Sequence, residues 1–196
     1  MPNDSTTAGY LTPVAPLPIY DDALVDALQA TITGITGNTG SLIRPRWQPE
    51  PVTKPDSSVN WVAFGITNLE PDTFPFEEMA PDGQTMTVQY SETLQVLHSF
   101  YGPAASAMAS RFRTGLMVSQ NRDPLRAAGI LLVAAEKLVN LPALFKEKWV
   151  QRVDLTVYYR RVVSHTYQIR SVVSAGAGLD NELYVTPIPV PTPPTP

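Results

Sequence analysis

Proton transfer at neutral pH would most naturally involve the two histidines of the chain, His98 and His165. Both lie in segments where apolar and polar residues alternate, so both are predicted to sit in β-strands. His98 falls on the mainly apolar side of its strand, where a hydrogen-bonded core histidine is a commoner outcome than a general base. The chain contains no paired-histidine zinc motif and no nucleophile elbow. His98 is therefore interpreted as structural.

Carboxylates offer a second route to acid–base chemistry. Glu92 and Asp154 could pair across a sheet, but Asp154 is expected beside Arg152 on a solvated or subunit-contacting face, where a structural ion pair is the simpler account. The proline-punctuated stretch 70–83 is predicted to be a long acidic loop. Its spacing lacks the alternating acidic pattern and closing Glu of a calcium loop, so no metal site is predicted. Its acidic residues are Glu70, Asp72, Glu77, Glu78 and Asp82.

Three closely spaced glycines, Gly34, Gly37 and Gly40, are a feature that phosphate-binding loops also have. Such a loop follows a strand and opens a helix, whereas here a helix is predicted before the glycines and a strand after them. We interpret them as a helix cap and a flexible connection.

Several aromatic residues could line a ligand cleft, for example for a sugar. Alternation places Tyr159 inward and Tyr158 outward, which leaves at most half of such a platform exposed. Core packing and interface anchoring explain this set better. Its members are Trp47, Trp61, Phe64, Tyr158 and Tyr159.

The first half of the chain predicts one helix and three strands. Helical spacing of apolar residues begins at Asp21 and ends near Gly34 or Gly37. Residues 42–47 are predicted to form a short edge strand because Pro45 cannot donate to a ladder. A loop at 48–58 and a strand at 61–67 follow. The next strand turns one apolar face inward, with Met86, Val88, Tyr90, Leu94, Val96, His98 and Phe100.

The second half predicts two helices and two strands. One helix starts with Pro103 at its first position and buries Ala105, Met108, Ala109, Phe112 and Leu116. A short helix at 121–128 and a buried strand at 129–136 follow. In the last strand, which is expected to reach about Thr166, the inward residues are Trp149, Val153, Leu155, Val157 and Tyr159.

This order of elements predicts an α+β fold, with an antiparallel or mixed sheet and helices packed on one face. Half of the 20 prolines lie before residue 19 or after residue 186. We therefore expect an extended arm at 1–18, one domain at 19–172 and a Pro/Thr-rich tail at 173–196.

Composition narrows the class of protein. The absence of cysteine excludes disulfides and thiolate metal sites. The first 43 residues hold no Lys or Arg and no signal-peptide core, so a cytoplasmic origin is expected. The longest apolar run, 130–135, is far shorter than the roughly 20 residues of a membrane span, so no membrane insertion is expected.

Charge is divided along the chain. The net charge of −4 argues against tight nucleic-acid binding. Residues 1–100 hold 3 basic and 12 acidic side chains, whereas residues 101–196 hold 11 basic and 6 acidic ones. This division suits oppositely charged faces that meet across subunits, or charges that pair within one fold.

Four strings in the chain resemble a known family. They are Arg44-Pro45-Arg46-Trp47-Gln48-Pro49, the run 61–67 followed by Asp72-Thr73-Phe74-Pro75, Ser99-Phe100-Tyr101-Gly102-Pro103, and the run 149–155. In their order and spacing they resemble the neck or tail terminator proteins of tailed bacteriophages, which share an α+β fold of the predicted kind.

The resemblance implies a virion protein assembled in the host cytoplasm. It would form a ring, expected to be a hexamer, at the head-proximal end of the tail, where it ends tail tube assembly and joins the tail to the neck/head connector protein. The implied partners are further copies of the chain, the tail tube protein and possibly the sheath protein. Genomic DNA would pass through the ring without specific binding. No cofactor and no catalysis are implied.

Alternatives stay open at this stage. The chain could be a neighbouring head–tail connector ring protein of the adaptor or stopper kind. A small ligand-binding module or an uncharacterised enzyme is less favoured.

Candidate subunit contacts follow from the arginines, which outnumber lysines ten to four. Arginine suits interface ion pairs because its planar fork binds carboxylates bidentately. Charge reversal in the outward row of the last strand is expected to lower the stability of the monomer by no more than about 0.5 kcal/mol per site, as for a solvated face. The candidates are Arg44, Arg46 and Trp47 on the edge strand, Arg111 and Arg113 on the second helix, and Arg152, Tyr158 and Arg160 in the outward row.

Overall fold

The computed structural model describes residues 9–14, 16–48, 53–81, 83–145 and 147–169. Most of the predicted N-terminal arm and the whole of the predicted tail at 173–196 lie outside these residues, so the division into arm, domain and tail stays a prediction. Within the described ranges the helices are α1 (Asp21–Thr36), α2 (Ala105–Gly115) and α3 (Asp123–Ala127). The strands are β1 (Ile43–Pro45), β2 (Trp61–Pro71), β3 (Phe76–Met79), β4 (Thr85–Tyr101), β5 (Ile130–Ala135), β6 (Val139–Asn140), β7 (Ala143–Phe145), β8 (Lys148–Val150) and β9 (Arg152–Gln168). The predicted α+β class is confirmed.

One mixed sheet organises the chain, with strand order β1-β2-β4-β9-β5. The two long strands β4 and β9 are antiparallel over their whole length, from Thr85 opposite Gln168 to Tyr101 opposite Arg152. Strand β3 pairs with β4 beyond the end of β2, and β6 pairs with β9 beyond the end of β5. Consequently β1, β2 and β3 lie on one side of the β4–β9 pair, and β5 and β6 lie on the other.

Alternation divides this sheet into two faces. Leu94, Val96, His98 and Phe100 of β4 are buried opposite Tyr159, Val157, Leu155 and Val153 of β9. The predicted inward faces of these strands are confirmed there, while Met86, Val88 and Tyr90 are half-buried. We call the opposite side of the two strands the polar face. It contains Thr87, Gln89, Ser91, Thr93, Gln95, Thr156, Tyr158, Arg160, Ser164 and Thr166.

The two longer helices cover the apolar face. In α1, Leu24, Leu28 and Ile32 form the buried stripe, and the helix ends at Gly37, whose positive φ of 74° suits glycine and whose N–H donates to the Thr33 carbonyl. In α2 the predicted stripe is confirmed, and the Phe112 ring lies 4.9 Å from the His98 ring. The helices thus close one core against the middle of the sheet.

Two predictions for the first half need correction. Stretch 70–83 is not one long loop, because β2 continues to Pro71 and β3 forms at Phe76–Met79. The reason is tertiary: β4 extends beyond β2, and its residues 86–89 offer a free edge with which β3 pairs. Pro103 is not the first helical residue, since Ala104 is the N-cap of α2 and its N–H donates to the Asn60 side chain at 2.8 Å.

Two more corrections concern the second half. Strand β5 was predicted to be buried, yet Leu131 and Val133 are exposed because β5 is an edge strand that pairs with β9 alone. Trp149 was predicted to point inward, yet it is 73% exposed. It belongs to β8, which Gln151 separates from β9, so the alternation of β9 does not extend to it.

Candidate functional site

His98 occupies the core and is enclosed. Its Nδ1 lies 3.3 Å from the Leu155 carbonyl oxygen, and its ring packs against Phe112. Burial lowers the pKa of His98 to about 4, so the ring is neutral at physiological pH. A fully buried neutral ring has no access to a substrate, and the prediction of a hydrogen-bonded core histidine is confirmed.

Glu92 does not pair with Asp154, because alternation puts the two carboxylates on opposite faces of the sheet. Glu92 instead forms a buried ion pair with Arg161, whose Nε donates to Oε2 at 2.8 Å. The same guanidinium donates to the Ile19 carbonyl and lies 4.3 Å from the Tyr20 ring. This pair therefore fastens the segment before α1 to the sheet.

Asp154 is the centre of a polar cluster on the other face. Arg152 holds it bidentately, with Nε to Oδ1 at 2.8 Å and Nη2 to Oδ2 at 2.6 Å. Ser99 donates to Oδ1 at 2.6 Å and accepts a hydrogen bond from Arg46. The bond to Asp154 raises the pKa of Arg152. The predicted ion pair is confirmed, but Asp154 and Ser99 are buried, so the expectation of a solvated face is wrong at this point.

The candidates on the edge strand differ in their exposure and in their contacts. Arg44 is half-buried, and its Nη1 donates to the Thr53 carbonyl at 2.6 Å. Trp47 is 71% exposed and lies over Gly65 of β2. A Cβ on Gly65 would sit 2.6 Å from the Trp47 ring, so this glycine is what lets the indole approach the strand.

The other candidates divide between the two sides of the sheet. On the helix side, Arg111 donates to the Thr36 carbonyl at 3.2 Å and Arg113 to the Glu136 carbonyl at 2.8 Å. On the polar face, Tyr158 donates to Glu136 at 3.1 Å, and Arg160 forms an exposed pair with Asp72 at 2.8 Å. The eight candidates are thus not brought together into one surface. Their role in subunit contact stays a prediction.

A groove of about 410 Å³ opens between the start of α1 and the second half of β2. Trp47, Leu69 and Val25 are among its lining residues. The register of β2 against β4 shifts between Ile66 and Asn68, which bends the strand where the groove opens. Sequence reasoning singled out Arg46, Trp47 and Phe64, which line this groove, but missed the groove itself, because a bulge has no signature in an eleven-residue apolar-to-polar strand.

Exposed large hydrophobic side chains fall into two groups along the chain. The first apolar edge comprises Trp47, Leu69, Phe74, Phe76 and Met79, on or beside β1, β2 and β3. The second apolar edge comprises Leu131, Val133, Leu138, Val139, Leu141, Leu144 and Trp149, from β5 to β8, of which β7 and β8 form a separate two-stranded sheet. Sequence reasoning assigned part of the second edge to the core, because a short apolar run does not distinguish a buried strand from an exposed one.

Among the residues that the structure describes, no group of three or more His, Asp or Glu side chains is placed to hold a metal ion. Within the same ranges, no helix is both long and apolar enough to cross a membrane.

Comparison with known proteins identifies a family for this chain. No curated protein matches the chain in sequence. The sequence profile of the phage neck terminator proteins matches residues 22–182, a range that includes every strand within the described residues and nearly all of α1. The chain therefore belongs to the phage neck terminator protein family, a structural family of the virion at the tail and neck, whose members interact with other virion components.

Proposed function

We propose that this protein assembles into a closed ring, expected to be a hexamer, at the head-proximal end of a phage tail. The ring ends polymerisation of the tail tube and joins the finished tail to the neck/head connector protein. The observation that carries this proposal is the family match over residues 22–182, which spans the sheet and its covering helices. In this role the protein binds no cofactor and catalyses no reaction.

The topology supports ring closure. A closed ring of identical subunits needs two different surfaces on each subunit, because each contact joins one surface to the other. The sheet has such surfaces on opposite sides: β1, β2 and β3 come from the acidic first hundred residues, and β5 and β6 come from the basic remainder. Opposite charge between such surfaces favours the correct docking and penalises like-with-like pairing.

The arginine candidates take specific parts in this proposal. Arg160 can exchange its exposed intramolecular partner Asp72 for a carboxylate of a neighbouring subunit at little cost, because exposed pairs are worth at most about 1 kcal/mol. Arg152 is less available, because it already neutralises the buried Asp154. Arg44, Arg46, Trp47, Arg111, Arg113 and Tyr158 remain proposed contact residues.

The partners of the ring are the tail tube protein, possibly the sheath protein, and the connector protein on the capsid side. Genomic DNA passes through the ring without specific binding. The ring is assembled in the host cytoplasm and stays in the virion.

Light scattering over a range of concentrations, with and without the tail tube protein, tests the ring. We expect a closed oligomer under at least one condition, because some rings close only on their template. A monomer under both conditions would overturn the proposal.

Electron microscopy of particles made without this protein tests its place in the virion. We expect full heads and separate tails of irregular length, because tube growth is not stopped. Tails of normal length that merely fail to attach would favour a head-side connector ring instead.

A further inference from the structure

The exposed side chains of the second apolar edge are concentrated in one short stretch of the chain. Its seven residues fall within the 19-residue stretch 131–149, and Leu144 and Trp149 are 61% and 73% exposed. Leu144 lies opposite Trp149 in the β7–β8 hairpin. Single exposed hydrophobics are normal, but a group of this size at a strand edge marks an interaction site.

The first apolar edge has the features of a receptor surface. Leu69, which is 43% exposed, and Trp47 line the groove beside α1. In β3, Phe76 lies opposite Gln89 of the polar face, whereas Met79 lies opposite Met86. The volume of about 410 Å³ is sufficient for large side chains such as an indole. The carboxylates of Glu70, Asp72, Glu77 and Glu78 lie along the same stretch of chain.

Several observations identify the occupant as a second copy of this chain. Trp149 belongs to the separate β7–β8 hairpin, is not among the residues that line the groove of its own chain, and is 73% exposed, so one chain does not place its own anchor in its own groove. Residues 69–79 carry four carboxylates and no basic side chain, so two first edges would repel one another, whereas residues 131–149 carry three lysines and two glutamates. Both edges are apolar, which suits a contact held by burial of hydrophobic area.

We propose that the second apolar edge of one subunit docks on the first apolar edge of the next, with Trp149 of the hairpin inserted in the groove beside Trp47 and Leu69. This inference rests on the proposed ring and names the contact that closes it. An aromatic anchor in a pocket is the usual energetic centre of a protein interface. Apolar burial at these edges holds the subunits together, and the arginine pairs set the orientation.

Two variants test the contact from its two sides. Trp149→Ala removes the anchor and Leu69→Glu places a charge in the groove, while Met117→Ala changes a similarly exposed apolar residue away from both edges. We expect each of the first two variants to lose ring formation in light scattering and to keep the melting curve of the isolated subunit. The Met117→Ala control is expected to form rings like the unaltered protein.

Mixing the two defective variants gives a sharper result. The intact groove of Trp149→Ala can accept the intact anchor of Leu69→Glu. The surfaces that remain free in this pair are both defective, since Trp149→Ala lacks the anchor and Leu69→Glu has a charged groove. The mixture is therefore expected to stop at dimers, which neither variant forms alone. Closed rings from the mixture, or rings from either variant alone, would overturn the inference and leave the proposed ring in place.

Cross-linking supplies a test that does not depend on loss of assembly. Because the chain has no cysteine, Glu147→Cys with Asn68→Cys, which leave Trp149 and Leu69 in place, introduces the only two thiols. Oxidation of the assembled double variant is expected to give a covalent ladder up to the ring size, whereas each single variant gives no ladder. Absence of the ladder in a double variant that forms rings would overturn the contact. A monomer in light scattering even with tube protein would overturn the proposed function, and this inference with it.

Discussion

Arg152 and Arg160 are equivalent in the alternation of β9 but not in their surroundings. The carboxylate partner of Arg152, Asp154, has a side chain only 9% exposed, whereas the partner of Arg160, Asp72, is 48% exposed. Removing one member of a buried pair leaves the other charge desolvated, while removing one member of an exposed pair leaves it in water. Sequence alternation alone cannot separate these cases, because it does not show that Ser99 and Arg46 enclose Asp154.

We predict that Arg152→Ala lowers the free energy of unfolding of the isolated subunit by about 1–3 kcal/mol, because Asp154 loses both of its charged hydrogen bonds. The remaining exposure of Arg152 keeps the loss below the roughly 3–5 kcal/mol of a fully buried pair. The matched variant Arg160→Ala is expected to change the free energy of unfolding by less than about 1 kcal/mol. Urea unfolding at an unchanged m-value measures both. Equal shifts for the two variants would contradict the buried network.

Individual elements differ in how clearly the sequence predicts them. The helices α1 and α2 and the long strands β4 and β9 were predicted because each repeats its apolar period several times. Strands β3, β6, β7 and β8 have two to four residues, which is too short for a period to be read. Trp149 illustrates the consequence, since its orientation depends on the break at Gln151 and not on its own type.

The turn between β4 and α2 depends on Gly102, a residue that the sequence marked only as a helix start. Its φ is 104°, and a Cβ there would lie 2.5 Å from the Val59 carbonyl oxygen and 2.7 Å from Asn60 Oδ1. The Gly102 N–H donates to the Gln151 carbonyl at 3.1 Å. This turn therefore joins the ends of β4 and α2 to the segment before β2 in a space that admits no side chain.

We predict that Gly102→Ala destabilises the subunit by about 2 kcal/mol or more, because a strained φ adds to a clash with backbone that cannot rotate away. Gly34→Ala is the matched change in α1, where a Cβ meets nothing within 4 Å. It should stabilise the subunit by about 0.5–1 kcal/mol, since alanine favours a helix interior. Thermal unfolding of both variants checks the contrast. A Gly102→Ala protein as stable as the parent would show that the turn adapts.

For the molecule as a whole, the charge pattern and the sheet topology together show where the acidic and basic parts of the chain lie. The sequence revealed an acidic first half and a basic second half, but it could not reveal that these halves supply opposite sides of one sheet. It also could not reveal the two apolar edges, because a short apolar run does not show whether its strand is buried or exposed. What the sequence did predict, an assembly protein without strong nucleic-acid affinity, depends on bulk charge and on the family resemblance.

If DNA passes through a ring of these subunits, it must not adhere, and the charges of the polar face suit this requirement. Arg152 and Arg160 each face a carboxylate of the same chain, Asp154 and Asp72, so their charges are already compensated. We predict that double-stranded DNA binds no more tightly than the roughly 10⁻⁴ to 10⁻⁶ M of non-specific contact at physiological salt. Filter binding measures this affinity, and submicromolar binding would contradict it.

Asp72→Asn, which frees Arg160, should tighten DNA binding and steepen its salt dependence. The control variant Asp123→Asn makes the same charge change beside Arg126 on α3. Equal effects of the two changes would show that DNA does not prefer the polar face.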